Sequence, residues 1–298
     1  MAEAMISPLV HVTTENPNPI QPPGKIHVYD VSKSVMETIG KNYGVVTHSS
    51  IQSLVKDADI IVIAVKPQNC PVVFKEMVGH CNQDAKVLSI VAGKPSAEFV
   101  AGTGLKKIIR SMPNTPAMIG EGVTVWSCDP LVVTAKEQNT IRAILECLGE
   151  EIFVQDESFV DMSTSLSGSG PAYIFMLIEA MTDAGVHMGF PRHTAEKLVH
   201  RTLLGSTKYA METGEHPAVL KNNVTSPGGT TASALFQLEQ GQFRTVVTKA
   251  IWACYRRSLE MGGSDSNVGP GRFVGPKFTP PGSEFDSDSI KQPKGKRS

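Results

Sequence analysis

The pattern of hydrophobic and polar positions changes character about halfway along the 298-residue chain. In the first half, short β-branched runs alternate with stretches whose apolar residues recur at helical spacing. Lys25–Asp30 (KIHVYD), Gly44–Thr47, Asp59–Val65 (DIIVIAV), Lys86–Val91 (KVLSIV) and Lys107–Arg110 (KIIR) read as strands. Ile60–Val65 is apolar on both faces, which predicts a central parallel strand covered by helices on each side. Ser34–Tyr43 and Thr134–Leu148 read as helices, and Ser34 with Glu37 and Thr134 with Glu137 have the spacing of capping boxes. Gly122–Ser127 and Ile152–Val154 would add strands at the far edge. Alternation of this kind predicts an α/β class protein with a doubly wound parallel sheet.

From about Phe159 the period becomes helical throughout: Pro171–Met188, Pro191–Thr213, Thr231–Gln240 and Phe243–Met261. Leu198, Thr202, Gly205 and Tyr209 share one face, as do Val247, Ile251, Cys254 and Ser258. Small and apolar residues mixed on such stripes predict closely packed helices and a second, all-α domain. After Met261 the pattern stops: 12 of the 37 residues 262–298 are Gly or Pro and six are aliphatic or aromatic. Too little apolar surface is available there to offset ordering entropy, so a disordered tail is expected. The expected organisation is therefore 1–155 for the sheet domain, 156–261 for the helical domain and 262–298 for the tail. The proline-rich stretch Asn16–Gly24 (NPNPIQPPG) reads as a surface insertion without chemistry.

Composition narrows the function classes. With 28 Lys+Arg against 29 Asp+Glu the formal net charge is −1, and no basic stripe suggests a nucleic-acid partner. The longest apolar run is too short to span a bilayer, and the N-terminus has no secretory pattern, so a cytoplasmic protein without membrane contact is expected. The five cysteines are widely spaced, with no CxxC pair and no Cys/His cluster, which predicts buried thiols and no metal.

Four segments carry candidate chemistry. Ala64–Pro67 (AVKP) ends the most apolar strand, where ligands of open α/β sheets bind and where Lys66 could meet a phosphate. An ordinary strand-end turn accounts for it equally well. Ser89–Gly93 (SIVAG) ends another strand in small residues that allow close approach to the backbone. Arg110–Pro116 (RSMPNTP) brackets Asn114 and Thr115 between prolines, as a stiff presenting loop or a plain connector. Ser167–Pro171 (SGSGP) and Asn223–Thr231 (NVTSPGGTT) each run into a helix, offering free N–H groups and the positive dipole end to a carboxylate. Helix capping also explains Thr230 and Thr231.

These segments, in this order, resemble pyrroline-5-carboxylate reductase. The resemblance runs from Met1 to about Met261, and LSGSGPAYIF (Leu166–Phe175) and NNVTSPGGTTASALFQLE (Asn222–Glu239) are its most diagnostic stretches. It implies a Rossmann-like sheet followed by an all-α dimerisation domain. The implied reaction is reduction of the ring imine of pyrroline-5-carboxylate to L-proline by hydride from NADPH or NADH, the last step of proline biosynthesis. It further implies that Ala64, Val65, Lys66, Pro67, Ile90, Val91, Ala92, Asn114 and Asn223 line the cofactor. Asp30 would take the adenosine ribose. The substrate carboxylate would fall to Ser226, Gly228, Gly229, Thr230 and Thr231, with Thr231 as the catalytic hydroxyl near the ring nitrogen and Glu157 facing the substrate. The protein would assemble as a homodimer or higher homo-oligomer through its helical domain.

Two departures follow from the same resemblance. Met1-Ala2-Glu3-Ala4 matches residues that follow the family's glycine fingerprint, so the first strand and its GxGxx loop are expected to be missing, leaving a gap in the sheet. Asp30 would repel a 2′-phosphate and favour NADH, with Lys33 blunting the effect; Ile51 falls about where relatives carry an asparagine. Two other readings compete. One is a hydroxyacid-type dehydrogenase, for which Lys197 or His200 would have to protonate a carbonyl oxygen. The other is a non-catalytic paralogue that assembles with intact subunits.

Overall fold

The computed structural model describes residues 2–10 and 21–271. The chain opens on helix α1 (Ala2–Val10), then strand β1 (His27–Val28), α2 (Lys33–Tyr43), β2 (Val46–Thr47) and α3 (Ile51–Val55). It continues through β3 (Ile60–Ile63), α4 (Cys70–Met77), β4 (Lys86–Ser89), α5 (Ser96–Thr103) and β5 (Lys107–Met112). Next come β6 (Gly122–Cys128), α6 (Ala135–Glu146) and β7 (Gly149–Phe153). All strands pair in parallel except β5 with β6, which run antiparallel.

The strands form two separate hydrogen-bonded sheets. β1 and β2 pair alone, and β3-β4-β5-β6-β7 follow one another in sequence order. The interruption falls where the sequence predicts a gap. It also corrects one expectation: the Ile60–Val65 run, read as a central strand, supplies an edge strand of the larger sheet. The strand is shorter than predicted, Ile60–Ile63, and Val62 is 43% exposed. An apolar side chain on both faces does not reveal whether both edges are paired, because edge pairing is a property of the backbone.

Helix α1 serves both sheets. Met5 joins the core around Leu88, Ile109 and Trp126, while Ile6 packs with Ile39 and Val45 beside the small sheet. The opposite face of the larger sheet is built on Val55, Ile61, Phe74, Val87 and Phe99. The capping box at Thr134–Glu137 forms as predicted. That at Ser34–Glu37 does not: Ser32 is the N-cap, accepting from the Val35 N–H, and Ser34 sits inside α2. Ser32 wins because the Asx turn of Asp30, which accepts from the Ser32 N–H at 2.8 Å, starts the helix earlier.

The second half contains α7 (Ser158–Ser163), a π-helical turn at Thr164–Gly168, α8 (Gly170–His187), α9 (Arg192–Thr213), α10 (Pro217–Asn223), α11 (Thr230–Gln240) and α12 (Phe243–Met261). α8 and α9 form a hairpin and pack closely at Gly185, where a Cβ would lie 3.0 Å from that of Ala195. Both halves belong to one compact unit, Met1–Ser266. Of the stretch expected as a disordered tail, residues 262–266 continue from α12 in turns, with the Ser264 N–H donating to Leu259 O. Residues 272–298 lie outside the described residues, as does most of the Asn16–Gly24 insertion.

Candidate active site

The carboxyl ends of β3, β4 and β5 lie side by side, so the segments after them converge on one edge of the sheet. After β3, Ala64 and Lys66 are exposed and Val65 and Pro67 half-buried. Pro67 opens a short 3-10 turn that leads into α4. After β4, Val91 is buried and its N–H donates to Ser89 Oγ at 3.2 Å. Ser89 O in turn accepts from Ser111 Oγ at 3.0 Å, locking β4 to β5 at this edge. Ile90 and Ala92 are half-buried. Ala64 and Ala92 bear no bulk that would keep a flat ring from the backbone, so the edge fits a nicotinamide nucleotide. Asp30 lies exposed beyond the end of β1.

Asn114 is placed differently from a presenting loop. It is 8% exposed; its Nδ2 donates to Ser167 O at 3.2 Å and its Oδ1 accepts from the Val123 N–H at 3.0 Å. Its amide straps the SGSGP segment to β6 and is turned inward. The SGSGP segment is likewise not an open anion loop. The π turn runs through it, the Ser169 N–H donates to Thr164 O at 2.8 Å, and the Ala172 N–H donates to Ser169 O. Helical hydrogen bonding takes up the Ser169 N–H, while Gly170, the first residue of α8, has no side-chain cap, as at the start of α11. Gly168 packs closely on β5: a Cβ there would lie 3.3 Å from Met112 Sδ, which would have to shift by a few tenths of an ångström.

The second Gly/Ser segment keeps the predicted geometry. Gly228 has φ +67°, Gly229 is the N-cap of α11, and no side chain caps that helix. The Gly229 N–H donates to Ser226 O at 3.1 Å, which folds the segment back on itself. Thr230 and Thr231 are the first two helical residues, so neither is the cap. Among the described residues, no hydrogen bond or ion pair joins Asn223–Thr231 to the sheet. Asn223, Ser226, Gly228 and Thr230 are exposed, and α10 and α11 contain no buried residue.

Glu157 lies just before α7. Its Oε2 accepts from the Ser96 N–H at 3.1 Å and from Ser96 Oγ at 2.7 Å. Arg110, 2% exposed, reaches the same oxygen from Nη1 at 3.5 Å and grips Asp161 with both terminal nitrogens, at 2.8 and 3.2 Å. Arg110 opens one of the segments that the sequence singles out but has no role of its own there, and Asp161 and Ser96 stand in none of them. The available signal was an arginine in an otherwise apolar strand, which cannot be buried without a carboxylate partner. Nearby, burial pushes the Tyr173 hydroxyl up to about 12, assisted by Cys254. Burial also raises Tyr255, with Asp161 and Asp156 adding to the effect.

No group of three or more His, Cys, Asp or Glu able to hold a metal occurs among the described residues. Lys197 lines a shallow open groove of about 400 Å³ on α9 with Thr194 and Arg201, outside the strand-end cluster.

Comparison with known proteins agrees along the chain. The family described as pyrroline-5-carboxylate reductase dimerisation matches residues 157–261, and that described as NADP oxidoreductase coenzyme F420-dependent matches residues 1–93. Pyrroline-5-carboxylate reductase of Escherichia coli (strain K12) is 39% identical over 240 residues, 80% of this chain and 88% of that one. The Arabidopsis thaliana enzyme of the same name is 37% identical over 242 residues, covering 81% and 87%. The Plasmodium falciparum pyrroline carboxylate reductase crystal structure with NADP bound superposes with a TM-score of 0.76 at 30% identity, covering 87% of this chain and 92% of that chain.

Proposed function

The chain belongs to the pyrroline-5-carboxylate reductase family, and from that premise we propose that it reduces pyrroline-5-carboxylate to L-proline with NADPH or NADH. The observation that carries this reading is the side-chain-uncapped N-terminus of α11 behind Gly228 and Gly229. Its free N–H groups and dipole suit a carboxylate, and the reductase substrate carries one.

When bound, a nicotinamide nucleotide would supply the hydride. The chain's own residues bind and orient. Ala64–Pro67 and Ile90–Ala92 offer the sheet-edge backbone to it, Asp30 the ribose-binding carboxylate, and Asn223 an amide near the reacting ring. Ser226, Gly228, Gly229 and Thr230 hold the substrate carboxylate, and the Thr231 hydroxyl hydrogen-bonds the ring nitrogen. A protonated imine carbon is already electrophilic, so alignment contributes more than any nucleophile could. Asn114 acts indirectly, as a strap.

The helical half supports a homo-oligomer. Phe175, Met176, Met211 and Phe236 are exposed on helices with almost no core of their own, and a second copy would bury them. We place the boundary between the cofactor and helical halves at 155/156, supported by the family match that begins at residue 157. No helix among the described residues is long and apolar enough to cross a membrane. The five free cysteines suit a reducing compartment, and we place the enzyme in the cytoplasm.

Incubating residues 1–298 with pyrroline-5-carboxylate and NADPH or NADH tests the reading: proline forms, and Thr231→Val lowers kcat by roughly 10²-fold, the scale of one lost transition-state hydrogen bond or proton-transfer partner. The separation of β1–β2 from the larger sheet favours the second reading, a non-catalytic paralogue. Absence of proline formation under conditions where the oligomer is intact would establish that reading instead.

A further inference from the structure

Apart from Asn223, the residues that would hold the cofactor lie on the sheet half of the chain and those that would hold the substrate carboxylate on the helical half. Hydride transfer tolerates little misalignment, since a displacement of about 1 Å costs roughly 10²-fold in rate. Something must therefore fix the strand-end loops relative to the helices. Arg110 stands at that junction. Its backbone belongs to β5, between Ile109 and the Ser111 that bonds Ser89 at the β4 edge. Its guanidinium leaves the sheet and engages two carboxylates of the helical half, Asp161 with both terminal nitrogens and Glu157 with one.

Glu157 passes the connection on. The oxygen that Arg110 approaches also accepts both donors of Ser96, the first residue of α5. Ser96 follows directly on Gly93-Lys94-Pro95, so the network reaches the loop after β4. The cluster thus ties β5, the β4–α5 loop and α7 through one buried cation. α7 continues into the π turn, which Asn114 straps separately to β6, and then into α8. The guanidinium's fork can satisfy two carboxylates at fixed angles, which a lysine ammonium cannot do in the same way.

We propose that Arg110 is a positioning residue for hydride transfer: through Asp161 and Glu157 it holds the cofactor-side loop after β4 in register with the helical half. This rests on the reductase reading above. The residue touches neither ligand in this account and acts through the alignment of both.

The test compares full-length wild type, Arg110→Lys, Arg110→Gln, Glu157→Gln, Ser96→Ala and the Arg110→Gln/Glu157→Gln double variant, as intact oligomers. Thermal unfolding, NADPH affinity by fluorescence titration, and kcat and KM for pyrroline-5-carboxylate are measured for each. Expected is a fall in kcat of tenfold or more in Arg110→Gln, with NADPH affinity changed less than threefold. Arg110→Lys should recover only part of it, because charge without the fork does not restore the geometry. Arg110→Gln added to Glu157→Gln should cost little beyond the larger single loss, as expected of members of one network.

If Arg110→Gln does not fold, Ser96→Ala and Glu157→Gln carry the test, with kcat lowered at an unchanged melting temperature. Wild-type kcat in the folded variants would overturn the proposal, as would losses confined to melting temperature. So would full recovery in Arg110→Lys together with additive effects at Glu157. An inactive wild type would instead reject the reductase reading, so the two failures are distinguishable.

Discussion

Gly93 and Gly262 meet backbone to backbone, joining the loop after β4 to the end of α12. A Cβ on Gly93 would lie 2.7 Å from Ser258 O, and one on Gly262 would overlap the Gly93 carbonyl. Gly93 also has φ +72°, a conformation that costs an L side chain roughly 1–2 kcal/mol before any clash is counted. The approach brings the last helix of the helical half against the loop proposed to line the cofactor.

Gly93→Ala should therefore lower both stability and cofactor affinity, whereas Gly262→Ala, at φ −84°, is penalised by the contact alone. Thermal melts paired with NADPH titrations check this. Equal melting temperatures for Gly93→Ala and wild type would show that the loop relaxes freely.

At the opposite end of the sheet, Lys86 and Lys107 are in register on β4 and β5, and Glu137 lies between them, accepting from Lys107 Nζ at 2.7 Å. Lys107 and the Thr134 backbone N–H hold the Glu137 carboxyl down at about 2, below its ordinary 4.5. A depressed carboxylate stabilises the fold above pH 4.5, and that contribution fades as pH falls through about 2. Glu137→Gln keeps a capping-box residue but removes the charge facing Lys107, which should cost up to about 1 kcal/mol at neutral pH and lower the melting temperature by roughly 2–4 °C. The gap between variant and wild type should close in acid, as read from melts between pH 7 and pH 2. A gap independent of pH would assign the effect to packing.

Removing the Asn114 side chain deprives the Val123 N–H of its acceptor and Ser167 O of a donor. Asn114→Ala should destabilise by about 1–3 kcal/mol, the cost of a buried unsatisfied group. Urea unfolding measures it, with a lowered midpoint at unchanged slope expected.

Asp30 is held at the start of α2 by the Ser32 N–H, with its carboxylate beyond the end of β1. NADH should serve better than NADPH, and Asp30→Ser should reverse that order by removing the charge facing a 2′-phosphate. Steady-state kcat/KM with both nucleotides decides it. A wild-type preference for NADPH would show that Lys33 outweighs Asp30.

Burial pushes the Cys128 and Cys147 thiols up to about 11, so both stay protonated and unreactive near neutrality. Alkylation of the native protein at pH 7.5 should spare these two positions, and denaturant should expose them. Rapid native labelling at the buried Cys128 would mean local opening of the β6 region.

The order of strands and helices could be read from the chain itself, because hydrophobic period and capping chemistry act over a few neighbouring residues. The Thr134–Glu137 box, the switch to helical period near Phe159 and the glycine turn before Thr231 are local in this sense. They appear in the structure much as the sequence predicts. Other features depend on where separate segments meet. Ile60–Ile63 looks central by composition and is an edge strand, because strand pairing involves backbone groups that side chains do not encode. SGSGP reads as an open anion loop and instead joins the end of a π turn to the start of α8, because Thr164 O is near enough to take the Ser169 donor. Arg110 is one charge in an apolar run until Asp161, some 50 residues later, is folded against it. Burying a guanidinium is tolerable only with its carboxylates already in place, and that condition is set by the tertiary fold.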